Sequence, residues 1–117
     1  MRTEHLILNN LLHDEDYARR TLPYLKSEYF SDRTERIVYE EVDKFINKFN
    51  ALPSREALTI EISNLTNIND KDYTSLTEYV AGLIKEEQDD KQWLVETTEK
   101  FCQEKALHNA IMESISI

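Results

Sequence analysis

A chain of 117 residues with one glycine and two prolines has few places where it can turn tightly. Sheet folds use turn residues at every hairpin, because primed turns need positive φ, which glycine reaches at least steric cost. Here the breakers are Pro23, Pro53 and Gly82, too few for a meander or a barrel. The expectation is an all-α chain of long helices with short connections. Its length suits one ordinary domain, able to bury roughly two-thirds of its unfolded surface without staples.

Apolar spacing divides the chain further. A first helix is predicted over residues 3–12, with Leu8, Leu11 and Leu12 on one side. Asp14 is a natural N-cap for a second helix over 15–22. Pro23 closes it, since its ring removes a donor and restricts Leu22. Tyr24-Leu25-Lys26-Ser27-Glu28-Tyr29-Phe30 reads as a tight aromatic turn lying on the core. Asp32 with Glu35 has capping-box spacing and opens a helix over 33–49, whose buried stripe is Val38, Val42, Phe45, Ile46 and Phe49. Asn50-Ala51-Leu52-Pro53-Ser54 is a break, and Ser54 caps a fourth helix that turns Ala57, Leu58, Ile62 and Leu65 inward. After a polar loop over 66–70, Asp70 or Asp72 starts a fifth helix with Tyr73, Leu76, Val80, Leu83 and Ile84 at its inner spacing. Glu86-Glu87-Gln88-Asp89-Asp90 is an acidic link.

From Lys91 onward there is no breaker. The expected layout is a globular helical bundle of about five helices over residues 1–90 and one long helix over 91–117. A helix of that length reaches roughly 40 Å, while a small domain measures about 30 Å across. It must therefore overhang the bundle. Trp93, Leu94, Phe101, Leu107, Ile111 and Ile115 are expected to give it an apolar side along its whole length. Its first half is expected to be core and its second half interface, because an exposed apolar helix needs a partner. The ending Ser114-Ile115-Ser116-Ile117 carries no cap or polar tail and reads as a boundary inside a helix.

Charge and side-chain chemistry exclude several function classes. The formal net charge is −9, from 23 acidic and 14 basic residues. Tight phosphate binding is driven by counterion release onto a basic patch. The basic clusters, Arg19-Arg20 and Arg33 with Arg36, are flanked by Asp14, Glu15 and Asp16 or by Asp32 and Glu35. Direct DNA binding is not expected. A lone Cys102 forms no internal disulfide and no cysteine-rich metal site. A single glycine rules out a Gly-rich phosphate loop. His5, His13 and His108 lie far apart, and paired acids such as Glu40-Glu41 point different ways on a helix, so surface or packing roles are expected for both. Tyr24, Tyr29, Phe30 and Tyr39 lack interleaved basic residues, which favours core packing over base stacking. No catalytic, cofactor or metal residues are assigned. No run approaches the ~20 apolar residues of a membrane span, and the start is not a signal peptide. A cytoplasmic protein is expected.

Three stretches, in order along the chain, resemble a known family. Glu4-His5-Leu6-Ile7-Leu8-Asn9-Asn10-Leu11-Leu12-His13-Asp14, with Tyr29-Phe30-Ser31-Asp32 and the helix from Thr34, is similar to the start of DnaB-type replicative helicases. Leu22-Pro23-Tyr24-Leu25-Lys26-Ser27-Glu28-Tyr29-Phe30, with Leu52-Pro53-Ser54 and Ala57-Leu58, resembles those of T-even-type bacteriophages more closely. So does Trp93-Leu94-Val95-Glu96-Thr97-Thr98-Glu99, leading into Gln103-Glu104-Lys105-Ala106 and Asn109-Ala110.

The resemblance implies an N-terminal collar domain, in which a small bundle is followed by a helical hairpin. In that family hairpins of neighbouring subunits pack together and six domains form a collar, often as a trimer of dimers. ATP hydrolysis with Mg and 5'-3' unwinding belong to a separate C-terminal motor. The long helix here then stands as the first hairpin arm, truncated, with the second arm and the motor missing. The fragment itself is not expected to be an enzyme. Implied partners are other helicase subunits, primase and a helicase loader, with DNA held only by the missing motor. Leu94, Phe101, Leu107, Ile111 and Ile115 are the residues expected to support subunit packing. The competing readings are a stand-alone phage adaptor or inhibitor that mimics the collar, and the helicase-binding domain of a primase. The latter sits at the end of a primase, whereas this chain opens with Met1.

Overall fold

Five helix starts are fixed by a side chain that accepts a hydrogen bond from a backbone N–H three residues on. Asp14 accepts from Tyr17, Asp32 from Glu35, Ser54 from Ala57, Asn69 from Asp72 and Asp90 from Trp93, at 3.1, 3.0, 3.0, 2.8 and 3.0 Å. Each satisfies an N–H that a helix leaves without an internal partner. The computed structural model describes residues 2–85 and 90–115. Over these the elements are α1 (Thr3–His13), α2 (Glu15–Thr21), 3-10 turns at Leu22–Tyr24 and Ser27–Tyr29, α3 (Arg33–Phe49), α4 (Arg55–Ser63), α5 (Asp70–Ala81) and α6 (Lys91–Ile115). No strand occurs among the described residues, and the chain is all-α as expected.

Several boundaries differ from the sequence reading, each for a local reason. The aromatic turn is two short 3-10 turns, with Pro23 inside the first and Leu25, Tyr29 and Phe30 packed on the core. Asp32 caps α3, but the Glu35 carboxylate does not complete the box; it is drawn inward by Arg2 and Tyr79. The fifth helix is instead capped by Asn69, which forms a full capping box with Asp72. Asn50 ends α3 in the left-handed region at φ 53°, its N–H bonded to the Ile46 carbonyl, a conformation that asparagine tolerates better than most residues. The acidic link over 86–89 and the expected helix end at 116–117 lie outside the described residues.

α1 packs on α2 and α3, α3 on α4 and α5, and α4 on α5, while α6 lies against α2 and the second 3-10 turn. Ile7, Leu8, Leu11, Tyr17, Phe30, Val38, Val42, Leu58, Ile62, Leu76 and Leu83 are fully buried where these faces meet. Truncating a leucine among them to alanine costs about 2–5 kcal/mol, the transfer term plus a cavity. Phe49, Tyr73 and Ile84 were expected inside but are 52%, 39% and 56% exposed, respectively. Phe49 makes its contacts along its own helix instead, with its ring centroid 4.7 Å from Phe45 and Lys48 over its face.

The radius of gyration is 14.5 Å, against about 13.4 Å for a compact chain of this length. α6, with 25 residues, is about 37 Å long, close to the largest dimension of the molecule, 38 Å. Among the described residues no helix is long and apolar enough to cross a membrane.

Candidate interaction surface on the overhanging helix

The first half of α6 is anchored to the bundle at several points. At its start Lys91 Nζ lies 3.5 Å from Asp14 Oδ1 and 3.3 Å from Asp16 Oδ2. Hydrogen bonding to Asp16, aided by the charge of Asp14, raises the Lys91 pKa. Asp14 thus caps α2 and clasps α6 with one carboxylate. Further along, the Tyr17 hydroxyl meets Thr98 Oγ1 at 2.6 Å inside the seam. Leu94, Val95, Phe101 and Cys102 are buried beside it, with the Phe101 ring centroid 6.0 Å from Phe30. A last contact runs from Asn109 Nδ2 to the Glu28 carbonyl at 3.4 Å.

Beyond Phe101 the helix changes face. Leu107, Ile111, Met112 and Ile115 are 64%, 50%, 52% and 71% exposed. At about 100° per residue, Leu107, Ile111 and Ile115 point about 165°, 125° and 85° away from the centre of the Leu94–Thr98–Phe101–Cys102 seam. The single apolar side expected from the sequence is therefore two. Leu94 and Phe101 belong to the chain's own core. Leu107, Ile111 and Ile115 face solvent, as does Trp93 at 49% exposure. Met112, which the sequence reading passed over, is exposed on the other side of the helix, in phase with the buried seam. It follows the line of Leu94, Phe101 and Lys105 out past the bundle, and its spacing of seven from Lys105 was the available signal.

Beside α6 an open groove of about 350 Å³ is lined by Tyr24, Tyr29, Glu99, Cys102, Gln103 and Ala106. Burial, with the Glu99 charge nearby, pushes the Cys102 thiol up to about 11, so it is protonated at neutral pH and a poor nucleophile. The histidines stand apart: His5 contacts the Tyr79 hydroxyl, His13 the Leu83 carbonyl, and His108 is exposed on α6. No group of His, Cys, Asp and Glu among the described residues could hold a metal ion. What this surface can do is pack against another helix: it offers apolar area in a row at helical spacing and few directed polar groups.

An all-helical bundle that projects an uncovered apolar helix has the build of a protein-association domain. Over 112 residues, 96% of its length, the chain is 29% identical to the DnaB-like replicative helicase of Enterobacteria phage T4. That stretch is 23% of the helicase, so the chain spans about a quarter of the relative it matches. The likeness supports a helicase-related domain, akin to a DnaB-like N-terminal region. No protein-family model matches the chain.

Proposed function

We propose that this chain is the N-terminal collar domain of a replicative DNA helicase, serving subunit association rather than chemistry. The observation that carries the reading is the exposed row Leu107, Ile111 and Ile115 on a helix that leaves the bundle. It is supported by similarity to a helicase over nearly the whole chain. In this reading Leu94 and Phe101 hold the helix to the bundle from inside, and the exposed row buries itself against other subunits. ATP, Mg and DNA belong to a motor elsewhere in the full protein. An acidic domain repels the DNA backbone and leaves it to that motor, while offering a surface on which basic faces of primase or a loader can dock.

The test is the full gene product. A ring of subunits that unwinds forked DNA with ATP, and that loses assembly when Leu107 and Ile111 are both changed to Asp, is the expected result. A gene product without a motor domain, or a motor ring indifferent to both changes, would overturn the reading.

A further inference from the structure

The groove beside α6 has two unlike walls. Glu99, Cys102, Gln103 and Ala106 line it from the helix, and Tyr24 and Tyr29 line it from the two 3-10 turns. At about 100° per residue the four helix positions fall within one strip about 100° wide, between the buried seam and the Leu107 row. The groove holds about 350 Å³, at the lower end of ligand clefts, which run about 300–1,000 Å³.

Its lining carries one formal charge. Glu99 is half-buried, and no lysine, arginine or histidine lines the groove. Among the described residues the Glu99 carboxylate, the Gln103 amide and the Tyr24 and Tyr29 hydroxyls make no hydrogen bond or ion pair. A carboxylate partly withdrawn from water attracts a cation more strongly than a fully solvated one. The formal net charge of −9 also favours the approach of a basic segment.

Which cation fits follows from the acceptors and the walls. The carboxylate, the amide oxygen and the phenol oxygens can all accept, and a guanidinium has five N–H donors and no acceptor. Its planar fork meets a carboxylate at two points, and its flat face stacks on an aromatic ring. Lysine, a compact and strongly hydrated point charge, gains neither. The arginines of this chain are already engaged: Arg2, Arg19, Arg20 and Arg33 with carboxylates, and Arg36 and Arg55 with backbone carbonyls. The guanidinium therefore comes from another protein. A small molecule needs walls over most of its surface, whereas an open groove takes a side chain from a segment running past outside.

We propose that this groove receives an arginine side chain of a partner protein, with Glu99 as its counter-ion and the Tyr24 and Tyr29 rings as its walls. Such a site works whether or not the chain is a helicase collar, because it uses none of the exposed Leu107 row.

The probe is the peptide acetyl-Gly-Gly-Arg-Gly-Gly-amide, titrated into the isotope-labelled full chain and followed by NMR. Saturable shifts of the Cys102, Gln103 and Ala106 amides are expected. The same peptide with lysine or citrulline in place of arginine is expected to bind at least about fivefold more weakly. Glu99→Gln is expected to keep the thermal midpoint and to weaken arginine binding at least about fivefold. Tyr24, which is 54% exposed, gives a second reading that does not disturb the core. Tyr24→Ala is expected to weaken binding, and Tyr24→Phe, which keeps the ring, to retain most of it. No saturable shift, equal binding of the lysine peptide, or an affinity unmoved by Glu99→Gln and Tyr24→Ala overturns the proposal. Groove signals that move when the chain alone is concentrated put a second copy there and overturn the assignment to a partner protein.

Discussion

Tyr17 and Thr98, which are 81 residues apart, share a 2.6 Å hydrogen bond inside the apolar seam between α2 and α6. Its direction follows from what else Thr98 does. The Thr98 hydroxyl has one proton and gives it to the Leu94 carbonyl at 2.8 Å, so Tyr17 must donate to Thr98. Thr98→Val therefore strands a buried phenol O–H, while Tyr17→Phe leaves Thr98 still bonded to its own helix. The first is expected to cost about 1–3 kcal/mol and the second about 0.5–1.5 kcal/mol. Denaturant unfolding of the two variants checks the order. Equal losses would mean that the bond is made differently.

Glu35 is buried to 1% exposure with a carboxylate that accepts from Arg2 at 2.7 Å and from the Tyr79 hydroxyl at 2.8 Å. Since Tyr79 spends its proton there, the 3.1 Å contact with His5 Nδ1 has the imidazole donating to the phenol oxygen. The chain of bonds ties the start of α1 to α3 and α5. Glu35→Ala removes the acceptor for two donors and is expected to cost about 2–3 kcal/mol. Arg2→Ala loses the ion pairs with Glu35 and Glu4 from a side chain that is 59% exposed, and is expected to cost less than about 1 kcal/mol. Thermal unfolding of both variants separates a buried acceptor from a surface ion pair.

The parts of this fold legible in the sequence are those decided within four residues. Asp14, Asp32 and Ser54 cap helices because a short acceptor precedes an apolar periodic run. Asn69 was missed because Asn69, Asp70 and Asp72 are all capping types and local chemistry does not rank them. Glu35 was illegible as a buried residue, since the partners that make burial tolerable lie 33 and 44 positions away. The split of α6 was readable in principle. Leu94 to Phe101 is a step of seven and stays in phase, but the step of six from Phe101 to Leu107 swings about 120° off that seam. Counting apolar residues along the helix gives their number and hides this turn.

Gly82, the chain's single glycine, sits after α5 at φ −81° and ψ −7°, a conformation open to any residue. A Cβ built there would touch the Tyr79 carbonyl at 3.4 Å, ordinary contact. The glycine thus supplies no freedom that the fold uses, while it loosens the unfolded chain. Gly82→Ala is expected to stabilise the domain by about 0.4–1 kcal/mol. A lower midpoint in urea would mean that the α5 terminus needs room this geometry does not reveal.

Alkaline titration reads the seam from the side of its acids. Burial pushes the Tyr17 phenol up to about 12 from 10.0, and the Cys102 thiol up to about 11 from 9.0. Burial also raises Tyr39 and Tyr79. Each group holds its proton in the folded chain at a pH where the unfolded chain has released it. The unfolded state therefore binds fewer protons, and stability falls as pH rises. The contribution of Cys102 is intact below about pH 9 and lost between 9 and 11; that of Tyr17 is intact below 10 and lost between 10 and 12. Unfolding free energy measured across this range is expected to be insensitive to these groups near neutrality and to decline from about pH 9. Cys102→Ala should delay the onset to about pH 10, where the tyrosines take over. An onset unmoved by that change would mean that the thiol reaches water and titrates as it does in the unfolded chain.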